Sequence, residues 1–390
     1  MTDKIVVDDV YKIFGPKPEL AKELIEKGYD KAQIFEETGH TVGVQQASFS
    51  IHAGEIFVVM GLSGSGKSTM VRMLNRLIDP TYGAVRIDGN DITQMSREDL
   101  IQLRRRDMSM VFQSFALMPH QTVLENAAFG LEVAGIDRSE REPRALDALE
   151  QVGLKANANS YPSELSGGMK QRVGLARALA VDPSILLMDE AFSALDPLIR
   201  TQMQDELIEL QKQKQRTIVF ISHDLDEAMR IGDRIAIMEQ GRVVQIGTPD
   251  DIVSNPADDY VRSFFHGVDV TKVFTGGDLA RRDDAELIND PNADPGSVRD
   301  RLSKNGHAFA VVLDNGEQYR GVVTAASLAS VNSLADAYVE VEPVDEETPL
   351  NEVLSSVAHA TVPVPVTNGG GKYIGSVSQQ FLLQTLDRTG

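Results

Sequence analysis

The stretch that most constrains this chain is Gly61-Leu-Ser-Gly-Ser-Gly66-Lys67-Ser68, which follows an apolar run at 56–60 and opens a stretch with helical spacing. Glycines at this spacing let the backbone curl around phosphates and aim its N–H groups at them. The following helix adds the positive end of its dipole, Lys67 can reach the terminal phosphates, and Ser68 can ligate Mg²⁺. A strand, such a loop and a helix in succession demand an α/β core. Two more runs, 185–188 and 217–221, are apolar throughout but for Thr217, as expected of parallel strands covered on both faces. Ligands of such sheets sit at the carboxyl ends of the strands.

Met188-Asp189-Glu190 closes the second run. One carboxylate there can hold Mg²⁺, and an adjacent one can orient or deprotonate an attacking water. Upstream, Leu165-Ser166-Gly167-Gly168-Met169-Lys170-Gln171-Arg172 opens a helical stretch, and a serine with two glycines at a helix N-terminus makes a second anion site. One nucleotide does not need two such sites from one chain, so the second is expected to face the phosphates held by another copy. After the third run, Asp224 and Glu227 predict a capping box, with Gly232 closing the helix. His223 stands beside them, where the strand ends.

Strand signals thin out between about 96 and 177, and 139–153 has helical spacing, so a mostly helical subdomain is expected there. Residues 16–41, with Leu20, Leu24, Ile25, Ile34 and Phe35 among Lys and Glu, read as an extra helical insertion. Beyond about 265 an internal repeat appears. Strand, turn, strand and helix are expected at 308–313, 314–316, 320–324 and 325–329, and again at 362–366, 368–371, 373–377 and 379–386.

The formal charge of −20 repels nucleic-acid phosphates and anionic lipid. Seven acidic and no basic residues crowd 336–352, read as a solvated face. Without cysteine there is no disulfide framework. The N-terminus lacks the layout of a signal peptide, and no apolar run approaches the ~20 residues that span a bilayer, so a cytoplasmic protein is expected. His40, His52, His120, His266, His307 and His359 show no metal-ligand spacing.

In this order the motifs resemble those of ATP-binding-cassette (ABC) ATPases: the phosphate loop at 61–69, the Q-loop glutamine Gln113, the signature at 165–171, the Walker B end at Asp189 and Glu190, the D-loop Ser193-Ala-Leu-Asp196 and the switch histidine His223. The resemblance implies a P-loop NTPase, a RecA-like parallel sheet with an inserted helical subdomain. It also implies a head-to-tail homodimer with two ATP molecules between the phosphate loop of one copy and the signature of the other. Gly61, Ser63, Gly64, Gly66, Lys67, Ser68, Thr69, Ser166, Gly167, Gly168 and Asp196 would bind ATP. Ser68, Gln113 and Asp189 would hold Mg²⁺, Glu190 would be the catalytic base, and His223 would hold the γ-phosphate and water. Gln113 would also link Mg²⁺ to a transmembrane subunit. Phe14 matches the aromatic that stacks on adenine, with Tyr11 as the alternative. Met169 stands where the signature usually has glutamine.

The insertion at 16–41, the runs at 112–126 and 186–200 and the C-terminal repeat extend the resemblance over essentially the whole chain, to the ATPase subunits of glycine betaine/L-proline importers. It implies an ATPase domain at 1–265 and a tandem CBS (α+β) module at 266–390, with copies at about 279–332 and 337–388. That module would respond to ionic strength, bind a nucleotide or serve dimerisation. Two transmembrane permease subunits and an extracytoplasmic substrate-binding protein are the implied partners. The chain would sit on the cytoplasmic face of the inner membrane, touching it only through the permease. Choline, carnitine, proline betaine or ectoine are the alternative cargoes. A soluble ABC ATPase of DNA repair or translation fits poorly with one cassette and an acidic surface. A purely regulatory protein fits poorly with an intact Glu190 and His223.

Overall fold

The structure is a computed structural model that describes residues 2–113, 115–193, 195–264, 274–283, 285–314 and 316–383. The expected boundary at 265/266, His266 and residues 384–388 lie outside them, as do Ser114, Ala194 and Asn315. The chain forms two compact units, Met1–Ser263 and Phe264–Gly390.

In the first unit, strands β1 (Asp3–Phe14), β2 (Thr41–His52), β4 (Tyr82–Ile87) and β5 (Asn90–Asp91) make an antiparallel sheet in the order β2-β1-β4-β5. The second sheet has the order β10-β9-β3-β8-β7-β6. It is built from β3 (Ile56–Met60), β6 (Met108–Phe112), β7 (Ile185–Asp189), β8 (Thr217–Ser222), β9 (Arg234–Glu239) and β10 (Arg242–Gly247). Neighbours from β9 to β6 run parallel, and β10 closes the edge antiparallel. The three apolar runs are its central strands, buried at every position. Val7, Val44 and Ile51 of one sheet and Phe57, Leu187 and Val219 of the other share one core with Met70, Met73 and Leu74 of α3 (Lys67–Leu74). At about 1.5–3 kcal/mol for each such side chain, this core fixes where the loop between β3 and α3 opens.

The insertion forms two helices, α1 (Pro18–Glu26) and α2 (Lys31–Thr38). Ala21, Ile25 and Ile34 pack with Tyr11, Ile13 and Val42 of β1 and β2. The helical subdomain expected from 96 needs correction at its start. Helix α4 (Arg97–Arg106) leads into β6, which belongs to the parallel sheet through its pairing with β7. The helices that pack on one another are α5 (Val123–Val133), α6 (Arg138–Gln151) and α7 (Gly167–Ala180). Helices α8 (Pro197–Lys214), α9 (Leu225–Ile231), α10 (Pro249–Ser254) and α11 (Asp259–Ser263) complete the unit.

The capping box at Asp224 is half of what was expected. Asp224 accepts from Glu227 N (3.2 Å), but the Glu227 carboxylate turns inward to Ser222 Oγ (2.5 Å) and Gln204 Nε2 (3.1 Å). Burial raises its pKa, and Gly232 caps the far end of α9.

In the second unit the first helix among the described residues is the short α12 (Gly276–Leu279), and one motif then occurs twice. Strand β11 (Glu286–Ile288), α13 (Pro295–Asn305), β12 (Phe309–Leu313) and β13 (Tyr319–Thr324) form the first copy. Strand β14 (Val344–Asp345), α14 (Leu350–His359), β15 (Val364–Thr367) and β16 (Tyr373–Val377) form the second. In each copy the first pairing is parallel and the next antiparallel. The helix expected at 325–329 is a run of turns, whereas 379–383 are helical. Among the described residues no helix is long and apolar enough to cross a membrane, and no cluster of His, Cys, Asp and Glu could hold a metal.

Candidate functional site

At the carboxyl end of β3 the backbone turns through Gly61 (φ +150°), Gly64 (φ +80°) and Gly66 (φ +109°) before α3 begins at Lys67. Two of these glycines are sterically required. A Cβ on Gly61 would stand 2.2 Å from Met238 O, and one on Gly66 would stand 2.4 Å from Gly43 O, whereas a Cβ on Gly64 meets nothing within 4 Å. Gly61→Ala and Gly66→Ala are therefore expected to destabilise the fold by several kcal/mol through clash and strain. Gly64→Ala should cost only about 1 kcal/mol of backbone conformation. Chemical denaturation of the three variants checks that order, and equal losses would contradict it.

Lys67 is buried, with Nζ donating to Gly61 O (2.7 Å) and Leu62 O (3.2 Å) across the loop. Burial lowers its pKa, partly offset by Glu190 and Asp189. Ser68 Oγ donates to Asp189 Oδ1 (3.0 Å), and Arg72 Nη2 lies 3.4 Å from Asp189 Oδ2. Glu190 takes a positive φ of 47° at the end of β7, a strained conformation for a non-glycine residue. Its Oε2 accepts from Gln113 Nε2 (3.2 Å) and lies 3.7 Å from His223 Nδ1. Gln113 also donates to Ser193 Oγ (3.2 Å), which in turn donates to Glu190 O (2.9 Å).

A recess of about 300 Å³ runs along this loop, lined by Phe14, Lys31, Thr41, Val42, Gly43, Ser63, Gly64, Gly66, Lys67, Ser68, Thr69 and Glu190. The two candidate aromatics separate cleanly. Phe14 is 41% exposed and lines the recess, while Tyr11 is 4% exposed, packed edge-on against Tyr82 inside the insertion's core. Ser166, Gly167, Gly168 and Asp196 do not line the recess. Ser166 caps α7 by accepting from Met169 N (3.3 Å), and Asp196 caps α8 by accepting from Ile199 N (3.1 Å). Gly168 is tied to that second helix, since a Cβ there would stand 2.7 Å from Ile199 Cγ2. Three neighbours of the site escaped the motif reading: Lys31, Arg72, and Arg200, which pairs with Asp224 (3.2 Å). Arg72 lies one helical turn beyond Ser68 on α3, and that spacing could have found it.

The oxygens of Ser68, Asp189 and the Gln113 amide are hard donors of the kind Mg²⁺ takes, and the Ser68–Asp189 hydrogen bond already brings two of them together. The glycine-lined cradle with Lys67 behind it fits a phosphate chain.

The ABC transporter family model matches residues 44–193. The glycine betaine/proline betaine transport system ATP-binding protein ProV of Salmonella typhimurium is 58% identical over 100% of this chain and 99% of its own. The glycine betaine transport ATP-binding protein OpuAA of Bacillus subtilis is 49% identical over 98% of this chain and 92% of its own. Among solved structures, a dimeric ATP-binding cassette in a post-hydrolysis state bound to ADP and Pi matches with a TM-score of 0.54 and 31% identity. The match covers 63% of this chain and 98% of that one. The first unit thus has the P-loop NTPase fold of an ABC cassette, and the chain belongs to the family of ATP-binding subunits of ABC transporters.

Proposed function

We propose that this chain is the ATP-hydrolysing subunit of an importer for glycine betaine and related quaternary-amine osmolytes, acting as a homodimer on the cytoplasmic face of the membrane beneath two permease subunits. The observation that carries this reading is similarity over the full chain, second unit included, to a betaine-transport subunit. An extracytoplasmic binding protein would deliver the cargo, and this chain would hold no cargo site.

In this reading Phe14 stacks on adenine, and the loop from Gly61 to Thr69 wraps the phosphates with Lys67 as counter-charge. Ser68, Asp189 and Gln113 would hold Mg²⁺, which when bound neutralises charge on the phosphates. Glu190, which lines the recess, takes the proton of the attacking water. His223, beside the Glu190 carboxylate, orients that water and the terminal phosphate. Ser166, Gly167 and Gly168 present the N-terminus of α7 to the nucleotide of the partner copy, and Asp196 follows α7 through the Gly168–Ile199 contact.

The half-buried Arg177 of α7 donates to Phe115 O (3.1 Å) and Ala116 O (2.6 Å), so the stretch after Gln113 is coupled to the helix that carries the signature. A groove of about 470 Å³ lies beside it, lined by apolar Ile101, Met110, Phe129 and Val133 together with Arg104, Arg105 and Arg177. The permease contact is proposed there, because Arg177 joins that groove to Phe115 and Ala116, two and three residues after Gln113. The second unit reads as a CBS pair that adjusts the motor to ionic strength.

The test is ATP-driven uptake of labelled glycine betaine into vesicles holding the reconstituted transporter, titrated with internal salt and with choline, carnitine and ectoine as competitors. Uptake rising steeply with internal salt is the expected result. ATP hydrolysis without uptake at any salt would leave a motor for a different cargo.

A further inference from the structure

Lys31 opens α2 in the insertion, yet its side chain lines the recess beside Phe14, Gly43 and the phosphate loop. Its Nζ donates to Gly64 O (3.3 Å) and, more weakly, to Gly43 O (3.5 Å). Gly241 flanks it from the other side, where a Cβ would stand 3.2 Å from that nitrogen. Gly43 is itself wedged between the aromatic and the cradle: a Cβ there would stand 3.0 Å from Phe14 Cε2 and 3.1 Å from Thr69 Cγ2. The ammonium therefore sits at the seam where a nucleotide's base gives way to its phosphates.

The electrostatic setting of Lys31 differs from that of Lys67. Burial lowers the pKa of both, but Glu190 and Asp189 offset it at Lys67, whereas at Lys31 no charge among the described residues does. A half-buried cation held by neutral carbonyls alone is incompletely satisfied. A hydrogen bond from an ammonium to an ionised oxygen is roughly twice as strong as one between neutral groups. The helix that presents it is firmly set. Asp30 and Gln33 form a reciprocal capping box at its start, and Ile34 is wholly buried in the insertion's core.

We propose that Lys31 is a nucleotide-binding residue, its ammonium meeting the α-phosphate from the insertion side of the recess. The insertion thereby becomes part of the nucleotide site. This inference rests on the reading that the recess takes ATP.

The test measures binding of ATP, ADP, AMP and adenosine to the full chain by calorimetry, in the parent and in Lys31→Met, Lys31→Arg and Lys67→Ala. Lys31→Met should weaken ATP, ADP and AMP alike by about tenfold, the loss of one charge-assisted hydrogen bond, and leave adenosine unchanged. Lys31→Arg should keep most of the affinity, and nucleotide-free thermal unfolding should match the parent for both. Equal ATP affinity in Lys31→Met and the parent overturns the proposal. So does a loss that extends to adenosine, which would mean a displaced base platform, and so does a loss confined to ATP, which would place the cation at the terminal phosphate. A parent that binds no ATP overturns the underlying reading of the recess instead, with Lys67→Ala as the reference for that outcome.

Discussion

Glu190→Gln should lower ATP turnover at least about 100-fold while nucleotide affinity stays within a few-fold of the parent. A positioned general base contributes roughly 10² to 10⁴ in rate, and the proposed mechanism gives that role to Glu190. Its neighbour Asp189 is 6% exposed and committed to Ser68 and Arg72. Glu190 lines the recess and is held from the side by Gln113 and His223. Glutamine keeps the shape and the hydrogen-bonding reach of the side chain but cannot take a proton. The variant should therefore collect in the ATP-bound dimer, visible as an ATP-dependent shift in size-exclusion chromatography, with phosphate release close to background. Turnover within tenfold of the parent would move the base elsewhere, and His223 would be the first residue to test. Asp189→Asn should behave differently, because it removes a buried charge that Ser68 and Arg72 both use and so should weaken binding as well as turnover.

What the sequence declares of this fold depends on burial. The central strands β3, β7 and β8 declared themselves because covered faces on both sides demand an apolar residue at every position. The strand β9 (RIAIME) has a similar interior but is bounded by charges that obscure it, and β6 (MSMVF) is short and lies between helical stretches. The long antiparallel strands β1 and β2 were harder still. Register shifts interrupt their pairing between Val7 and Val10, and Asp9 takes a positive φ, so the two-residue period that marks a half-buried strand is broken. The stretch at 325–329 (AASLA) has helical propensity, but Ser327 and Thr324 tie each other's backbones through their hydroxyls, and side-chain bonds of this kind compete with a helix ladder. In the site, contiguous motifs were visible because their residues share one loop. Lys31 was not, since only the packing of the insertion on β1 and β2 brings it to Gly43 and Gly64.

The second large effect concerns the signature, and here stability and activity should move in opposite directions. Gly167 is the first residue of α7, and a Cβ on it meets nothing within 4 Å. An aspartate at that position has open space at its Cβ and stands at the positive end of the helix dipole, which favours the fold by about 0.3–1 kcal/mol. Yet it would set a carboxylate against the phosphates of the partner's nucleotide. Gly167→Asp should therefore match or exceed the parent in thermal unfolding, bind ATP with unchanged affinity through its own recess, and lose nearly all turnover in the dimer. Lys67→Ala should lose turnover for the opposite reason, an empty cradle facing a sound signature. Because Ser166, Gly167 and Gly168 do not line their own chain's recess, the proposed dimer would put the two defects on different halves of each shared site. A dimer of one Gly167→Asp chain and one Lys67→Ala chain has one site with both defects and one with neither, so mixing two inactive proteins should restore phosphate release. Mixed dimers that form and stay inactive would count against the shared site, as would a Gly167→Asp protein that hydrolyses ATP normally. Recovery would show that the anion-binding end of α7 serves the nucleotide of the other copy, which is the arrangement that makes hydrolysis depend on closure of the dimer and lets that closure drive a permease.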